Sequence, residues 1–183
     1  MKIGIISDTH GSVAGWEKSW KILEDSDIII HCGDLFNHGP GNPIPEKYNP
    51  KELLNIFNNL NKPILISRGN CDSEVDQTFL NIPLAYPFLF YQINNLRILV
   101  SHGHIFKKDE WIELGKKWKI NFLISGHTHI PLLEKVENII ILNPGSPSLP
   151  KEKIPTCAMI DTDEGDIKIY NLLDHSVFQK ENL

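Results

Sequence analysis

The sequence predicts an α/β domain whose polar chemistry sits at the ends of buried strands. Three observations carry that prediction. Short β-branched runs, led by Ile28-Ile29-Ile30, are apolar at every position and read as strands covered on both faces. Segments with helical spacing of apolar residues lie between the first runs, giving strand–helix–strand units. Run after run then ends in side chains able to hold a metal: Asp8 and His10, Asp34, Asn70, His102 and His104, His127 and His129. The carboxyl ends of strands are where open α/β sheets keep their sites.

Residues 2–7 form the first expected strand, bounded by Asp8 and Gly11. A helix is expected over about 12–25, because Ser12 can cap it and Trp16, Trp20, Ile22 and Leu23 fall near helical spacing. After the isoleucine run, Gly33 lets the chain turn sharply and delivers Asp34 to the strand end. His31 and Cys32 are read as packing residues. The stretch 37–45 is dense in Gly and Pro and forms an irregular loop beside the expected site. A second helix resumes from about Pro50, a favourable first-turn residue, through Leu60. Residues 63–67 make another strand, followed by Arg68-Gly69-Asn70-Cys71-Asp72.

Over 86–101 two apolar runs flank Asn94-Asn95, a hairpin turn, so pairing shifts from parallel to antiparallel. Trp111, Leu114 and Trp118 mark one more helix, and Phe122-Leu123-Ile124 leads into Gly126-His127-Thr128-His129. Segments 132–136, 139–142, 156–160 and 167–172 read as short strands, with turns at Glu137-Asn138 and Glu164-Gly165. No repeat or linker divides the 183 residues, and 41% hydrophobic residues suffice for a substantial core, so 1–183 is expected to be one domain.

A net charge of −5 argues against a broad nucleic-acid footprint or an anionic-membrane binder, although a small phosphorylated substrate needs no global positive field. The three cysteines, Cys32, Cys71 and Cys157, form no CxxC pair, which indicates neither a disulfide framework nor a zinc ribbon and fits a reducing cytoplasm. The first apolar run meets Asp8 too soon for a signal peptide or membrane span. Trp16, Trp20, Trp111 and Trp118 lie on helical faces and read as core or interface residues.

Each polar cluster has an ordinary explanation in isolation. Asp8 could cap a helix with His10 on the surface, Asp34 could cap or turn, Asn70 could occupy a left-handed turn after Gly69, and each histidine pair could be a solvated strand end. Together these explanations fail, because five of eight histidines, two aspartates and an asparagine would gather at strand ends by coincidence. An apolar sheet cannot accommodate such a group without water or metal. Asp8 and His10, two residues apart in an extended segment, can point the same way and hold one ion. Mixed oxygen and imidazole donors without a thiolate set favour a pair of borderline divalent ions such as manganese, iron or zinc. Two ions roughly 3.5–4 Å apart are the usual machinery of phosphoester hydrolysis.

Asp8-x-His10, Gly33-Asp34, Gly69-Asn70, His102 and Gly126-His127-x-His129, in that order, resemble the calcineurin-like metallophosphoesterase family. Asn37-His38-Gly39-Pro40 and the stretch 68–77 are similar to those of its small bacterial phosphodiesterases, and the similarity weakens after about Pro150. The resemblance implies two packed mixed β-sheets flanked by helices, a four-layer α-β-β-α sandwich. It implies one metal on Asp8, His10, Asp34 and His129, and a second on Asp34, Asn70, His102 and His127, with Asp34 as the bridge. The cofactors implied are two divalent ions per chain, Mn2+ first, with Ni2+, Fe2+ and Zn2+ as alternatives. The substrate implied is a small or accessible phosphodiester, attacked in line by a hydroxide that both ions activate. No membrane and no extended nucleic-acid surface are expected, and relatives of this size suggest a homo-oligomer, dimer or tetramer, with loop 36–50 and the helical tryptophans at its interface.

Many family members carry a histidine directly after the asparagine ligand, placed to protonate the leaving group; here that position is Cys71. Cys71 is either a poor substitute acid or an inert buried thiol, and His38 is either another donor or a surface residue. Leaving groups of low pKa are therefore expected to be hydrolysed best. Asn37, His38, Arg68 and His104 are the candidate substrate contacts, with an ion pair as the alternative for Arg68 and a place behind the ligands for His104. The contrasting class is a non-catalytic protein-binding scaffold, as in the retromer subunits of the superfamily. Such scaffolds tend to lose ligands, whereas every matching position here carries a competent side chain.

Overall fold

Ile28, Ile29 and Ile30 point alternately to opposite faces of one sheet, and both faces are covered. In the computed structural model, which describes residues 1–183, β2 (Ile28–His31) lies parallel to β1 (Lys2–Ile6) and β3 (Ile64–Ser67). Helices α1 (Val13–Leu23) and α2 (Pro50–Asn58) connect these strands and cover the outer face, where Ile29 packs with Trp16, Leu53, Phe57 and Ile66. Ile28 and Ile30 face inward with Ile3 and Ile5, against Ile98, Val100, Phe122 and Ile124 of a second sheet. Burial on two sides explains a strand with no polar alternation.

The first sheet is completed by β4 (Leu84–Ala85), β10 (Thr156–Asp161), β11 (Asp166–Asn171) and β12 (Val177–Asn182), in the order β12-β11-β10-β1-β2-β3-β4. The second contains β5 (Leu89–Ile93), β6 (Leu96–Val100), β7 (Phe122–Ile124), β8 (Pro131–Val136) and β9 (Ile139–Pro144), in the order β5-β6-β7-β9-β8. Here β6, β7 and β9 are parallel, and β5 meets β6 in a hairpin whose Asn94 is left-handed (φ 50°). Helix α4 (Lys108–Trp118) joins β6 to β7 and covers the outer face, with Trp111 against Leu99, Leu123 and Ile141. Helices, sheet, sheet and helix make four layers.

The helix starts follow their capping chemistry: Ser12 Oγ accepts the Gly15 N–H, and Pro50 opens α2 behind Asn49. One helix lies outside the expectation, α3 (Glu74–Phe79), which buries no residue and is held by a capping box between Ser73 and Asp76. Trp16 and Trp111 are core residues, so neither can serve an interface. No helix is long and apolar enough to cross a membrane.

What positions the site is the edge where β1, β2, β3, β6 and β7 end. Pairing continues past the strands there, with Asp8 N–H on Gly33 O and His10 N–H on Asp34 O, both at 3.0 Å. Loops from two sheets converge on one point.

Candidate metal centre

Buried donors from four of those loops meet at the convergence. Asp8, His10 and His102 are fully buried, and Asp34 and His129 nearly so. Asp8 Oδ1 lies 3.2 Å from His129 Nε2, 3.7 Å from His10 Nε2 and 3.8 Å from His102 Nε2. Asp34 Oδ2 lies 3.3 Å from His102 Nε2 and 3.7 Å from His10 Nε2. Donor atoms that each sit about 2.0–2.2 Å from a shared ion stand roughly 3–4 Å from one another, so these separations fit coordination. Asp8 Oδ1 and His102 Nε2 are buried with no hydrogen-bond partner. Such atoms are rare in folded proteins, and a cation would satisfy both.

The far side of each imidazole is tied down. Nδ1 of His10 donates to Asn37 O at 2.7 Å, that of His102 to Cys32 O at 2.9 Å, and that of His129 to Leu149 O at 2.7 Å. A carbonyl only accepts, so each Nδ1 carries hydrogen and Nε2 is the nitrogen left facing the cluster, where an ion would take its lone pair. The cysteine before Gly33 thus does more than pack, because its carbonyl in one sheet orients a ring from the other. His31 also exceeds a packing role: its Nδ1 accepts the Gly33 N–H and its Nε2 meets Thr9 Oγ1, which donates to Leu35 O.

Local backbone conformation is unusual where the donors leave their strands. Asp8, His10, Asp34, His127 and His129 are all left-handed, with φ between 47° and 69°. Each such residue costs on the order of 1–3 kcal/mol and persists only where surrounding bonds over-determine it. Here they do: His127 N–H donates to Asp8 Oδ2 at 3.0 Å, and Ser146 Oγ donates to Asp8 O at 2.8 Å. Two glycines are required by close approach. A Cβ on Gly69 would overlap Asp34 Oδ1, and one on Gly126 would overlap Ser7 Oγ.

Two adjacent buried carboxylates call for positive charge. Burial alone would raise Asp8, yet His10, His129 and His102 hold it well below the usual carboxylate range; burial would likewise raise Asp34, and His102 outweighs it. Burial would lower His102, but Asp34 and Asp8 prevail and push it up to about 9. His104 and His127 move the other way, lowered by burial and then by the charge of His102. The cluster draws protons to the nitrogen where a cation would bind.

The other expected residues stand around this core. His127 is exposed, its ring 5.1 Å from that of His102, and Asn70 is exposed with its amide on Cys71 Sγ at 3.3 Å. Asn70 is not left-handed. Asn37 spends its carbonyl on His10 and its amide on Cys71 O and Asp76 Oδ2. Cys71 is half-buried rather than sealed in a core; burial, then Asp34, pushes its thiol up to about 12, and its N–H donates to Asp34 Oδ1 at 2.8 Å. His38 packs edge-on against Tyr48, its Nδ1 buried without a partner. Arg68 makes no ion pair: its Nε donates to Asp72 O, and its guanidinium lies 5.9 Å from the Tyr86 ring centroid. The His104 ring is 5.4 Å from that of His102.

Sequence reasoning missed the residues that hold the loops. Buried Asp72 accepts three N–H groups, from Asp34, Leu35 and Gly69. Asn143 donates to Gly126 O and Thr128 Oγ1, bracing the turn of His127 and His129. Asp72 could have been found from its place two residues after Asn70; Asn143 and Ser146 carry no local signal.

Residues 1–165 match the family model of the calcineurin-like phosphoesterase superfamily domain. The chain is 34% identical over 180 residues to phosphodiesterase YfcE of Escherichia coli K12, covering 97% of this chain and 95% of that one. It is 28% identical over 177 residues to phosphodiesterase MJ0936 of Methanocaldococcus jannaschii, covering 92% and 97%. Among solved structures, the E. coli phosphoesterase Yfce superposes with a TM-score of 0.88 at 30% identity, covering 100% of this chain and 99% of that one. Zinc-complexed Vps29 of Entamoeba histolytica superposes with 0.69 at 19% identity, covering 100% and 98%, a likeness of fold alone.

Proposed function

Because the chain belongs to the calcineurin-like phosphoesterase superfamily, we propose that it is a divalent-metal-dependent phosphodiesterase, with residues 1–183 working as one catalytic domain. The observation that carries this reading is the buried cluster of Asp8, His10, Asp34, His102 and His129, in which Asp8 Oδ1 and His102 Nε2 have no partner. In this reading Asp8, His10, Asp34 and His129 hold one ion, and Asp34, Asn70, His102 and His127 hold a second. Manganese comes first among manganese, nickel, iron and zinc, since the donors are oxygen and imidazole. Such a pair of ions, when bound, supplies charge neutralisation at the phosphoryl oxygens and a potent nucleophile from water at neutral pH.

The chain's own groups then do the positioning. The Cys71 N–H occupies Asp34 Oδ1 and leaves Oδ2 turned to the cluster, where a shared carboxylate belongs. Asn37, Cys32 and Leu149 carbonyls hold three rings, so little reorganisation is needed when substrate arrives. Exposed His127 and Asn70 mark the open side from which a small or accessible phosphodiester enters. Proton delivery to the leaving group is the weak part, because a thiol pushed up to about 12 is a poor acid at neutral pH. Substrates with leaving groups of low pKa follow as the best ones, with His38 and His104 at the rim as further donors. A cytoplasmic homo-oligomer completes the reading, and exposed Ile44, Val75 and Phe79 supply apolar surface for self-association.

The test is to strip the protein with chelator, restore Mn2+, Ni2+, Fe2+, Zn2+ and Mg2+ in turn, and compare bis(p-nitrophenyl) phosphate with the matching monoester. Diester hydrolysis that depends on added ion and exceeds monoester hydrolysis is expected. Inactivity with every ion would favour the protein-binding scaffold instead.

A further inference from the structure

Three groups of donors in the cluster lie close enough together for a single ion, with ligand atoms within 4.8 Å of one another. Asp8, His10 and His129 form one, and Asp8, Asp34 and His102 another; both fall within the ligand sets already assigned. The third is His10, Asp34 and Cys71, and it brings a sulfur to a centre otherwise built from oxygen and nitrogen. Neighbouring groups hold that sulfur in place. The Cys71 N–H donates to Asp34 Oδ1 at 2.8 Å, the Asn70 amide donates to Cys71 Sγ at 3.3 Å, and a Cβ on left-handed Gly39 would stand 3.0 Å from Sγ. An amide donor suits a thiolate better than a thiol, because hydrogen bonds to an ionised acceptor are the stronger kind. Fully buried His102 Nε2, which has no hydrogen-bond partner, lies 3.3 Å from Asp34 Oδ2, so the carboxylate beside the sulfur also borders a nitrogen that calls for a cation.

We propose that Cys71 is a metal ligand reserved for thiophilic ions: Zn2+, or Co2+ in its place, held by His10 and Asp34 takes the Cys71 thiolate as a further ligand, whereas Mn2+ leaves the thiol free. The inference rests on the proposed metal centre and adds a residue to it. Softness decides between the ions, because thiolate is a soft donor that suits zinc, while manganese prefers oxygen. Bond lengths allow the contact. Zn–S is about 2.3 Å and Zn–N about 2.0–2.1 Å, so two donors on one ion stand up to about 4.4 Å apart, and a small rotation of the Cys71 side chain closes the set. On coordination a metal–sulfur bond replaces a metal–water bond and the thiol proton leaves to solvent, since a coordinating thiol is deprotonated outright. The consequence is discrimination between ions. A catalytic site keeps a position open for substrate, and an extra donor next to exposed Asn70 fills the open side. Thiophilic ions are thereby held tightly in a less active form, and Mn2+ is left as the productive one.

Co2+ reports the bond directly, because a cobalt–thiolate pair gives a near-ultraviolet charge-transfer band that cobalt on oxygen and imidazole lacks. Titrated into the chelator-stripped protein, Co2+ is expected to raise that band to the intensity of a single thiolate, and added Zn2+ to bleach it. Cys32 and Cys157 are fully buried, so in the folded chain the band belongs to Cys71. Cys71→Ser should abolish it, lower Zn2+ affinity by at least about tenfold, and leave Mn2+ affinity unchanged. Mn2+ bound at the centre together with a Co2+ spectrum that lacks the band overturns the inference and leaves the proposed function standing. So does a band that survives Cys71→Ser, or an equal loss of Zn2+ and Mn2+ affinity in that variant. Binding of none of the three ions by the unmodified protein overturns both.

Discussion

The Asp72 carboxylate accepts the backbone N–H of Asp34 at 2.8 Å, and through the same oxygen that of Gly69 at 2.7 Å. Its other oxygen takes the Leu35 N–H at 2.7 Å. One side chain therefore clamps the loop after β2 to the loop after β3, and sets where Asp34 points without being a ligand itself.

Asp72→Asn keeps one acceptor and turns an amide donor toward backbone donors. Metal affinity is expected to fall about 10–100-fold, the usual consequence of disturbing groups that orient ligands, with activity partly restored by excess Mn2+. The measurement is the Mn2+ concentration dependence of diester hydrolysis; an unaltered dependence would show that Asp34 needs no clamp.

Gly69→Ala and Gly126→Ala should each cost about 1–3 kcal/mol by overpacking and remove most activity, since the new methyl overlaps Asp34 Oδ1 or Ser7 Oγ. Gly41→Ala, with open space around it, is the control and should change stability by less than about 0.5 kcal/mol. Denaturant melts of the three variants separate the cases. Equal stability of all three would contradict the packing described.

His102, pushed up to about 9 by Asp34 and Asp8 against burial, is protonated at neutral pH until an ion displaces the proton. Between neutral pH and about 9, metal affinity should therefore rise with pH, by about a factor of ten per unit for one proton released, and level off above. Calorimetry in buffers of different ionisation enthalpy counts that proton. Binding with no proton release would mean that His102 does not bear the ion.

Cys71→His places an imidazole directly after Asn70. Hydrolysis of diesters with poor leaving groups should improve relative to p-nitrophenyl esters, by up to about 100-fold if general acid catalysis is what the chain lacks. An unchanged ratio would locate protonation elsewhere, with His38 and His104 the next residues to substitute.

Much of this was legible in the sequence because strand ends advertise themselves: an apolar run that stops at Asp34 or at His127-Thr128-His129 announces both the strand and its cargo. The isoleucine run and the Asn94-Asn95 hairpin were readable for the same local reason. Helix α3 was not, since it buries nothing and so has no apolar stripe; its capping box was the one sign. Strand β12, with Gln179, Lys180 and Glu181 on a sheet edge, has too little hydrophobic alternation to be seen. Asn143 and Ser146 act across 17 and 138 residues of chain, and the left-handed conformations of five expected ligands depend on such contacts.

The central claim is that Asp34 is shared by two ions, and Asp34→Asn tests it most directly. Metal content and diester turnover of this variant should be measured together at rising Mn2+. Two ions per chain are expected in the unmodified protein, with weakened occupancy of both in the variant and turnover lower by several orders of magnitude even at saturating Mn2+. Two ions bound with undiminished affinity and normal turnover would contradict it.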